Sequence, residues 1–354
     1  MRTAVIAFTK KGIKVARAIK NRLGSTGYAG EKVVETERDF QPIPGNIREF
    51  AGWAFQNYEG LIFISAVGIA VRSIAPHLRD KWSDPAIVVV DERGTFVISL
   101  LSGHWGGGNR LAQEVAGILG ATPVITTASD LFGVETPESI AQEYHFALEA
   151  RENLPRIISL LLEGAPVWYV TDDAVVWNLL SERVNLCWQM PKDAQGVIFV
   201  TDRMVEPPPI PFLILRPRNL VLGVGLRKGI SGEALQVLVK DFFRTQGMAL
   251  LGVREVASVE QKRGEPALKE LVQSLSITTH FFTVEELQKV AHLFPSSPLV
   301  QRALGVGSVA RPSAFLASGG GLEVGYFKGQ GVALALFRRV NKDVDQSGGN
   351  WARE

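Results

Sequence analysis

Cysteine is almost absent from this chain. Cys187 is the single copy, so an internal disulfide and a cysteine-built zinc site are both excluded. Cys187 itself, inside "NLCWQM", reads as a small buried hydrophobe. Long apolar runs are missing too, since none reaches the ~18–20 residues that a membrane-spanning helix needs. The start, "MRTAVIAFTKKG", meets two lysines too early for a signal peptide. The expectation is a soluble, cytoplasmic protein with no membrane partner. Charge of one sign is also lacking: Lys plus Arg number 38 against 36 Asp plus Glu, a formal charge of +2. A nucleic-acid binder normally shows a basic stripe, so no nucleic-acid partner is expected, while a local basic pocket for an acidic small molecule stays open. Common catalytic signatures are absent as well. There is no G-x-x-x-x-G-K-[ST], no G-x-G-x-x-G after the first strand, no G-x-S-x-G and no H-E-x-x-H. The usual grounds for P-loop, dinucleotide, serine-hydrolase and zinc-protease chemistry are therefore missing.

What is present is a regular alternation. The 354 residues, 46% of them hydrophobic, suffice for two or three domains. "TAVIAFT" (3–9) reads as a strand, and "GIKVARAIKNRLG" (12–24) as a helix with Ile13, Ala16, Ile19 and Leu23 on one face, closed by Gly24. "REFAGWAFQNY" (48–58) repeats the helical pattern and "GLIFISA" (60–66) the buried strand. In "AIVVVDERGTFVISLL" (86–101) two strands flank the turn residues Asp91 to Gly94, a hairpin signal. A glycine loop, a helix "GNRLAQEVAGILG" and a short strand "PVITT" follow. "PESIAQEYHFALEA" (137–150) reads as a helix opening a less regular region, with strands expected at 166–171, 196–201 and 212–217. The stretch "EPPPIPFLILRPRN" packs five prolines into fourteen residues, which marks a linker or an edge. A third unit begins at "LVLGVGLRKGISGEALQVLVKDFF", its helix capped by Ser231 with Glu233 in the first turn, and runs to "GVALALFRR" (331–339). The predicted class is α/β in three units. These are an N-terminal domain (1–135) with a mostly parallel sheet and helices on both faces, a smaller middle domain (136–216), a C-terminal α/β domain (217–340) and a disordered tail (341–354).

The most informative stretch is "SLLSGHWGGGNRLAQEVAG" (99–117). A strand ends, and a histidine and a run of glycines stand at the mouth of a helix. The first N–H groups of a helix lack intrahelical partners and carry partial positive charge. Glycine lets a ligand approach them. Gly106, Gly107, Gly108 and Asn109 are therefore expected to cradle an oxyanion, a carboxylate or a phosphate, with Ser102 and Gly103 at its lip. The alternative is a tight turn whose glycines are chosen for packing. Of the five histidines (77, 104, 145, 280 and 292), His104 alone lies in such a loop. It is the candidate general base and acid for ester-like hydrolysis, against the alternative of a loop histidine bonded to a backbone carbonyl. A Ser102 nucleophile is the weaker variant. "ITTASD" (125–130) follows the next strand and brings Thr127, Ser129 and Asp130 toward the same cleft. Asp130 orients His104, acts as the base itself, or merely caps a turn. "SAVGIAVRS" (65–73) supplies Ser65, Gly68 and Arg72 at a third strand end, with Arg72 either clamping a carboxylate or making a surface ion pair. No metal-binding motif is found.

On these residues a resemblance rests. "FISAVGIAVRSIAP", "DERGTFVISLLSGHWGGGNRLA" and "TPVITTASD" resemble the N-terminal domain of the cobalamin biosynthesis protein CbiG family. "GVGLRKGISGEAL", "VASVEQKRGEPAL", "FFTVEEL" and "VGSVARPSAFLASGG" are similar, in the same order, to its C-terminal domain. The middle segment matches in position and length. The resemblance implies a cobalt-precorrin-5A hydrolase, which opens the ring-A δ-lactone and expels acetaldehyde to give cobalt-precorrin-5B. It implies an anionic cobalt-tetrapyrrole as substrate, no separate cofactor because cobalt enters with that substrate, and other corrin-pathway enzymes as partners. Arg72, Arg110, Arg227 and Lys228 then become candidate carboxylate clamps. Two departures stand out. Leu226 occupies a position where relatives often carry cysteine, and Trp105 and Gly108 replace aliphatic or alanine residues. Trp105 either stacks on the macrocycle or packs within the protein. The rival readings are a carrier that protects a tetrapyrrole intermediate and a phosphate-binding transferase.

Overall fold

The computed structural model describes residues 1–35, 37–131, 133–296 and 307–340; the side chains of Ser129 and Asp130, and the expected tail 341–354, lie outside the described residues. The first sheet collects the short apolar runs as β1 (Thr3–Ala7), β2 (Thr26–Ala29), β3 (Gln41–Pro42), β4 (Gly60–Ile64), β5 (Ala86–Val90), β6 (Phe96–Leu101) and β7 (Thr122–Val124). Their order is β3-β2-β1-β4-β5-β6-β7. β1, β4 and β5 are buried along their whole length, as strands covered on both faces are. α1 (Lys10–Leu23) and α5 (Gly108–Leu119) cover one face with Ile13, Ile19, Leu111 and Val115. Between them in the chain lie α2 (Glu31–Val34), α3 (Ile47–Asn57) and α4 (Val67–Ile74), of which α3 and α4 cover the other face with Phe50, Ala54, Ala70 and Ile74. Thr9 caps α1 by accepting from the Gly12 N–H, and Gly24 closes it in the left-handed region.

Every neighbouring pair in this sheet runs parallel except β5 and β6. There Val90 lies opposite Val97 and Ile87 opposite Leu101. The turn between them is organised by Asp91, whose carboxylate accepts from the N–H groups of Arg93, Thr95 and Phe96 at 2.8, 2.8 and 2.6 Å. The reversal decides which loops share an edge. β6 and β7 end on the side where β1, β4 and β5 begin.

α6 (Ala128–Leu131) and α7 (Pro137–Glu143) lead to the second sheet. The helix expected over 137–150 stops at Glu143. His145 takes φ 56°, and Ala147–Glu149 turn out as β8, antiparallel to the strand that ends at Arg216. Helical spacing of the apolar residues was outweighed by this pairing and by the ion pair of Arg216 with Glu149 at 2.7 Å. After α8 (Leu154–Leu162) come β9 (Val167–Val170), α9 (Ala174–Leu180), β10 (Leu186–Cys187), β11 (Gly196–Val200) and β12 (Phe212–Arg216), in the order β10-β9-β11-β12-β8. The third sheet holds β13 (Leu220–Leu226), β14 (Val253–Val259), β15 (Thr278–Phe282), β16 (Leu322–Gly329) and β17 (Val332–Arg338), ordered β15-β14-β13-β17-β16. Its helices are α10 (Gly232–Thr245), α11 (Pro266–Leu275), α12 (Val284–Ala291) and α13 (Ala310–Ala317). Ser231 caps α10 by accepting from the Ala234 N–H.

The chain divides into two compact units, Met1–Gln142 and Glu143–Glu354, and the second contains both later sheets. Within it, Arg338 grips the buried Asp202 with two bonds of 2.8 Å. The Ala249 N–H donates to the Asp202 carbonyl at 2.7 Å.

Candidate functional site

The loop after β6 is a turn closed on itself. The Gly107 N–H donates to the His104 carbonyl, Gly108 to Ser102 and Asn109 to Gly103, each at 2.9 Å. Three of the N–H groups expected to cradle an anion are therefore committed to backbone acceptors. This corrects the open-nest expectation for Gly107, Gly108 and Asn109: the loop needed their donors to hold its own shape. The glycines have steric causes. A Cβ on Gly106 would stand 2.3 Å from the Ser102 Cβ, one on Gly108 would stand 2.6 Å from the Leu101 carbonyl, and one on Gly103 2.7 Å from Asn109 Oδ1. Gly107 takes φ 79° as the residue before α5. The Gly106 N–H is left without an acceptor among the described residues.

Asn109 is buried, and its amide forms a bracket. Oδ1 accepts from the Ser99 hydroxyl and Nδ2 donates to the Thr127 hydroxyl, both at 2.7 Å. It acts as a positioning residue that ties β6 to the segment after β7. So the structure does bring "SGHWGGGN" and "ITTASD" to one edge. Ser129 and Asp130 sit in α6, directly beyond Thr127, with side chains outside the described residues. His104 is half-buried and Arg110 is exposed in the first turn of α5. Ser102 takes φ 55°, and its buried Oγ has no hydrogen-bond partner among the described residues.

Several neighbours were not singled out from the sequence. Trp82 meets Trp105 edge-on, with ring centroids 5.2 Å apart, which places Trp105 in packing contact within the protein. Lys81 Nζ lies 4.6 Å above the Trp82 ring and pairs at 3.4 Å with Glu138, a buried carboxylate. Gln142 donates its side-chain amide to the Trp105 carbonyl. The N–H of Trp82, the Ser83 hydroxyl and the Ser83 N–H hold the Asp80 carboxyl below its ordinary range, fixing the turn that carries Trp82. Only the aromatic content of "DKWSDP" hinted at this group, since nothing local pairs residue 81 with residue 138.

The Ser65–Arg72 segment is placed elsewhere. β4 runs opposite to β6, so Ser65, Gly68 and Arg72 stand at the far edge of the sheet from His104. With strands of five residues, the two edges are roughly 15 Å apart. Arg72 instead donates to the Gly68 carbonyl at 3.2 Å, within its own helix. The hairpin thus keeps these residues, expected at a third strand end, off the edge that carries His104. Arg227 and Lys228 belong to the third sheet. They follow β13 and line a cavity of about 1000 Å³, with the buried Leu226 beside them. Cys187 is half-buried, its thiol pushed up by burial. No helix of the described residues is long and apolar enough to cross a membrane.

Three sheets flanked by helices define the class: an α/β protein built of three mixed sheets. Three family profiles match consecutive parts of the chain: cobalamin synthesis G N-terminal over residues 49–130, cobalamin biosynthesis central region over 136–217, and cobalamin synthesis G C-terminus over 220–337. The chain is 34% identical to a cobalt-precorrin-5A hydrolase of Salmonella typhimurium, across 94% of this chain and 96% of that one. It is 30% identical to a cobalt-precorrin-5A hydrolase of Priestia megaterium, across 89% of each. A solved cobalamin biosynthesis protein G homolog from Sulfolobus solfataricus covers 96% of this chain and 97% of its own, with 20% identity and a TM-score of 0.38. The chain belongs to the CbiG family of cobalamin biosynthesis.

Proposed function

We propose that this chain is a cytoplasmic cobalt-precorrin-5A hydrolase that opens the ring-A δ-lactone and releases acetaldehyde to give cobalt-precorrin-5B. The observation that best supports it is the closed turn carrying His104 on the edge it shares with Thr127. Lactone opening is ester hydrolysis. The imidazole takes a proton from the attacking water and returns it to the departing alkoxide. Of the four N–H groups at 106–109, that of Gly106 is the one without a backbone acceptor among the described residues, and it serves the developing oxyanion. Asp130 or Ser129, in the short helix α6 that follows Thr127, orients the water or the imidazole. Arg110 holds a substrate carboxylate. The carbon–carbon cleavage that follows also needs proton transfers, which the same histidine serves. A division into domains at 135/136 and 216/217 and transfer of the product to other corrin-pathway enzymes belong to this reading.

The commitment of three loop N–H groups to backbone carbonyls favours a second reading, a carrier that binds the tetrapyrrole without altering it. Acetaldehyde release from cobalt-precorrin-5A under anaerobic conditions separates the two. Release by wild type and its loss in folded His104→Ala is expected. Equal release by both variants moves the base to Asp130, and tight binding with an unaltered lactone leaves the carrier.

A further inference from the structure

The cavity of the third sheet has a charge pattern that its sequence positions conceal. Five cationic residues line it: Arg227, Lys228, Lys262, Arg311 and Lys328. They come from the end of β13, the turn after β14, the first turn of α13 and the end of β16. The topology gathers them. β14 is parallel to β13, while β16 and β17 meet in a turn where Val332 lies opposite Leu226. No carboxylate stands among the described lining residues. Two of the cations have acidic partners close by, Lys262 with Glu265 at 2.9 Å and Arg311 with Glu323 at 2.8 Å. Arg311 also lies 3.7 Å above the Tyr326 ring, so its guanidinium is held in one orientation. Arg227 and Lys228 are exposed and make no side-chain ion pair or hydrogen bond among the described residues.

We propose that this cavity binds a large ligand bearing several carboxylates, with Arg227 and Lys228 as its mobile clamps and Arg311 as its fixed one. A volume of about 1000 Å³ stands at the upper end for small-molecule pockets, which suits a macrocycle better than a single carboxylic acid. In a chain with a total charge of only +2, five cations face one concavity; with Lys262 and Arg311 paired to Glu265 and Glu323, the attraction there rests chiefly on Arg227 and Lys228. A nucleotide is disfavoured, although "GVGLRKG" is rich in glycine. Gly223 and Gly225 lie inside β13, and a Cβ on Gly223 would stand 2.0 Å from the Ala310 carbonyl. That glycine lets a helix pack against the strand rather than admitting a phosphate. That the ligand is the tetrapyrrole substrate rests on the hydrolase reading; the carboxylate preference rests on the cavity alone.

The test is calorimetric titration of the full chain with three probes. They are cobyrinic acid, a corrin whose side chains end in carboxylates, cobinamide, where amides replace them, and ATP. Wild type is expected to bind cobyrinic acid, more weakly as salt rises, and to bind the other two poorly. Arg227→Glu with Lys228→Glu is expected to weaken cobyrinic acid at least about tenfold, while Lys240→Glu, a charge reversal on the exposed side of α10, leaves it unchanged. Binding that survives the double reversal, or equal affinity for cobinamide, overturns the proposal, and so does tighter binding of ATP. The acetaldehyde assay on the same variants keeps the two readings apart. Reversal-sensitive binding with no acetaldehyde from wild type leaves the cavity proposal standing and removes the hydrolase. Acetaldehyde release with an unchanged KM in the double reversal does the opposite.

Discussion

Ser102 carries two local costs at once. Its φ of 55° is unfavourable for a side chain with a Cβ, and its buried hydroxyl has no partner among the described residues. Such strain persists where the surroundings impose it, and it gathers at functional sites. Ser102→Gly removes both costs and is expected to raise stability by about 1 kcal/mol, read as a higher urea midpoint. If the hydroxyl serves the lactone reaction, acetaldehyde release falls in the same variant, the trade of stability against activity expected at a working residue. A lower urea midpoint would show that the residue is not strained. At this scale the spacing in the sequence misjudged why the loop is rich in glycine. Gly103, Gly106 and Gly108 were expected to open the backbone to a ligand. They are glycines because Asn109, Ser102 and the Leu101 carbonyl fill the space a Cβ would take. Contacts of that kind leave no trace in spacing.

The deciding element is the hairpin of β5 and β6. "DERG" marked it in the sequence, and the turn forms where expected, with Gly94 at φ 70°. Its consequence was missed: a strand that reverses direction carries its loop to the opposite edge, so His104 parted from Arg72. Asp91 is the residue on which the reversal depends. Burial pushes its carboxyl up, but the N–H groups of Phe96, Arg93 and Thr95 outweigh this and hold it below the ordinary range. A depressed carboxylate contributes stability that is complete above the unfolded pKa of about 3.9 and is lost as pH falls through the lower folded value. Asp91→Asn is therefore expected to cost about 1 kcal/mol at neutral pH and to flatten the acid limb of stability. Urea midpoints of both proteins between about pH 2 and 7 check this. Parallel loss in the two would show that other carboxylates carry the limb. The element misjudged in extent is the helix expected over 137–150: it forms over Pro137–Glu143, and beyond His145 local periodicity competed with a strand partner more than sixty residues away and lost.

At the scale of the molecule, charge and cooperativity are both uneven. The near balance of 38 cations and 36 anions conceals the cation-lined cavity of the third sheet, because a total carries no positions. Within the second unit, the pair of Arg338 with the 4% exposed Asp202 side chain joins β17 to the segment after β11. Removing one member strands a buried charge. Arg338→Met is expected to cost about 3 kcal/mol, toward the low end for buried pairs because Arg338 keeps some contact with water. In calorimetry, the second and third sheets are expected to melt together in wild type and to separate, or shift down together, in the variant. An unchanged profile would mean that the backbone bonds around Ala249 suffice.

What the sequence determined by itself is the inventory. Short β-branched runs, helical periodicity and capping residues such as Thr9, Gly24 and Ser231 act over a few residues, so they specify strands, helices and their ends wherever the chain goes. The motifs also sufficed to place the chain among its relatives. Only the tertiary structure decided which of those pieces meet. Glu138 found Lys81, Asn109 found Thr127, and Arg227 joined Lys328 at one rim. The physical reason is direction: strand polarity and sheet order decide which edge each loop reaches, and neither is written in the residues of the loop itself.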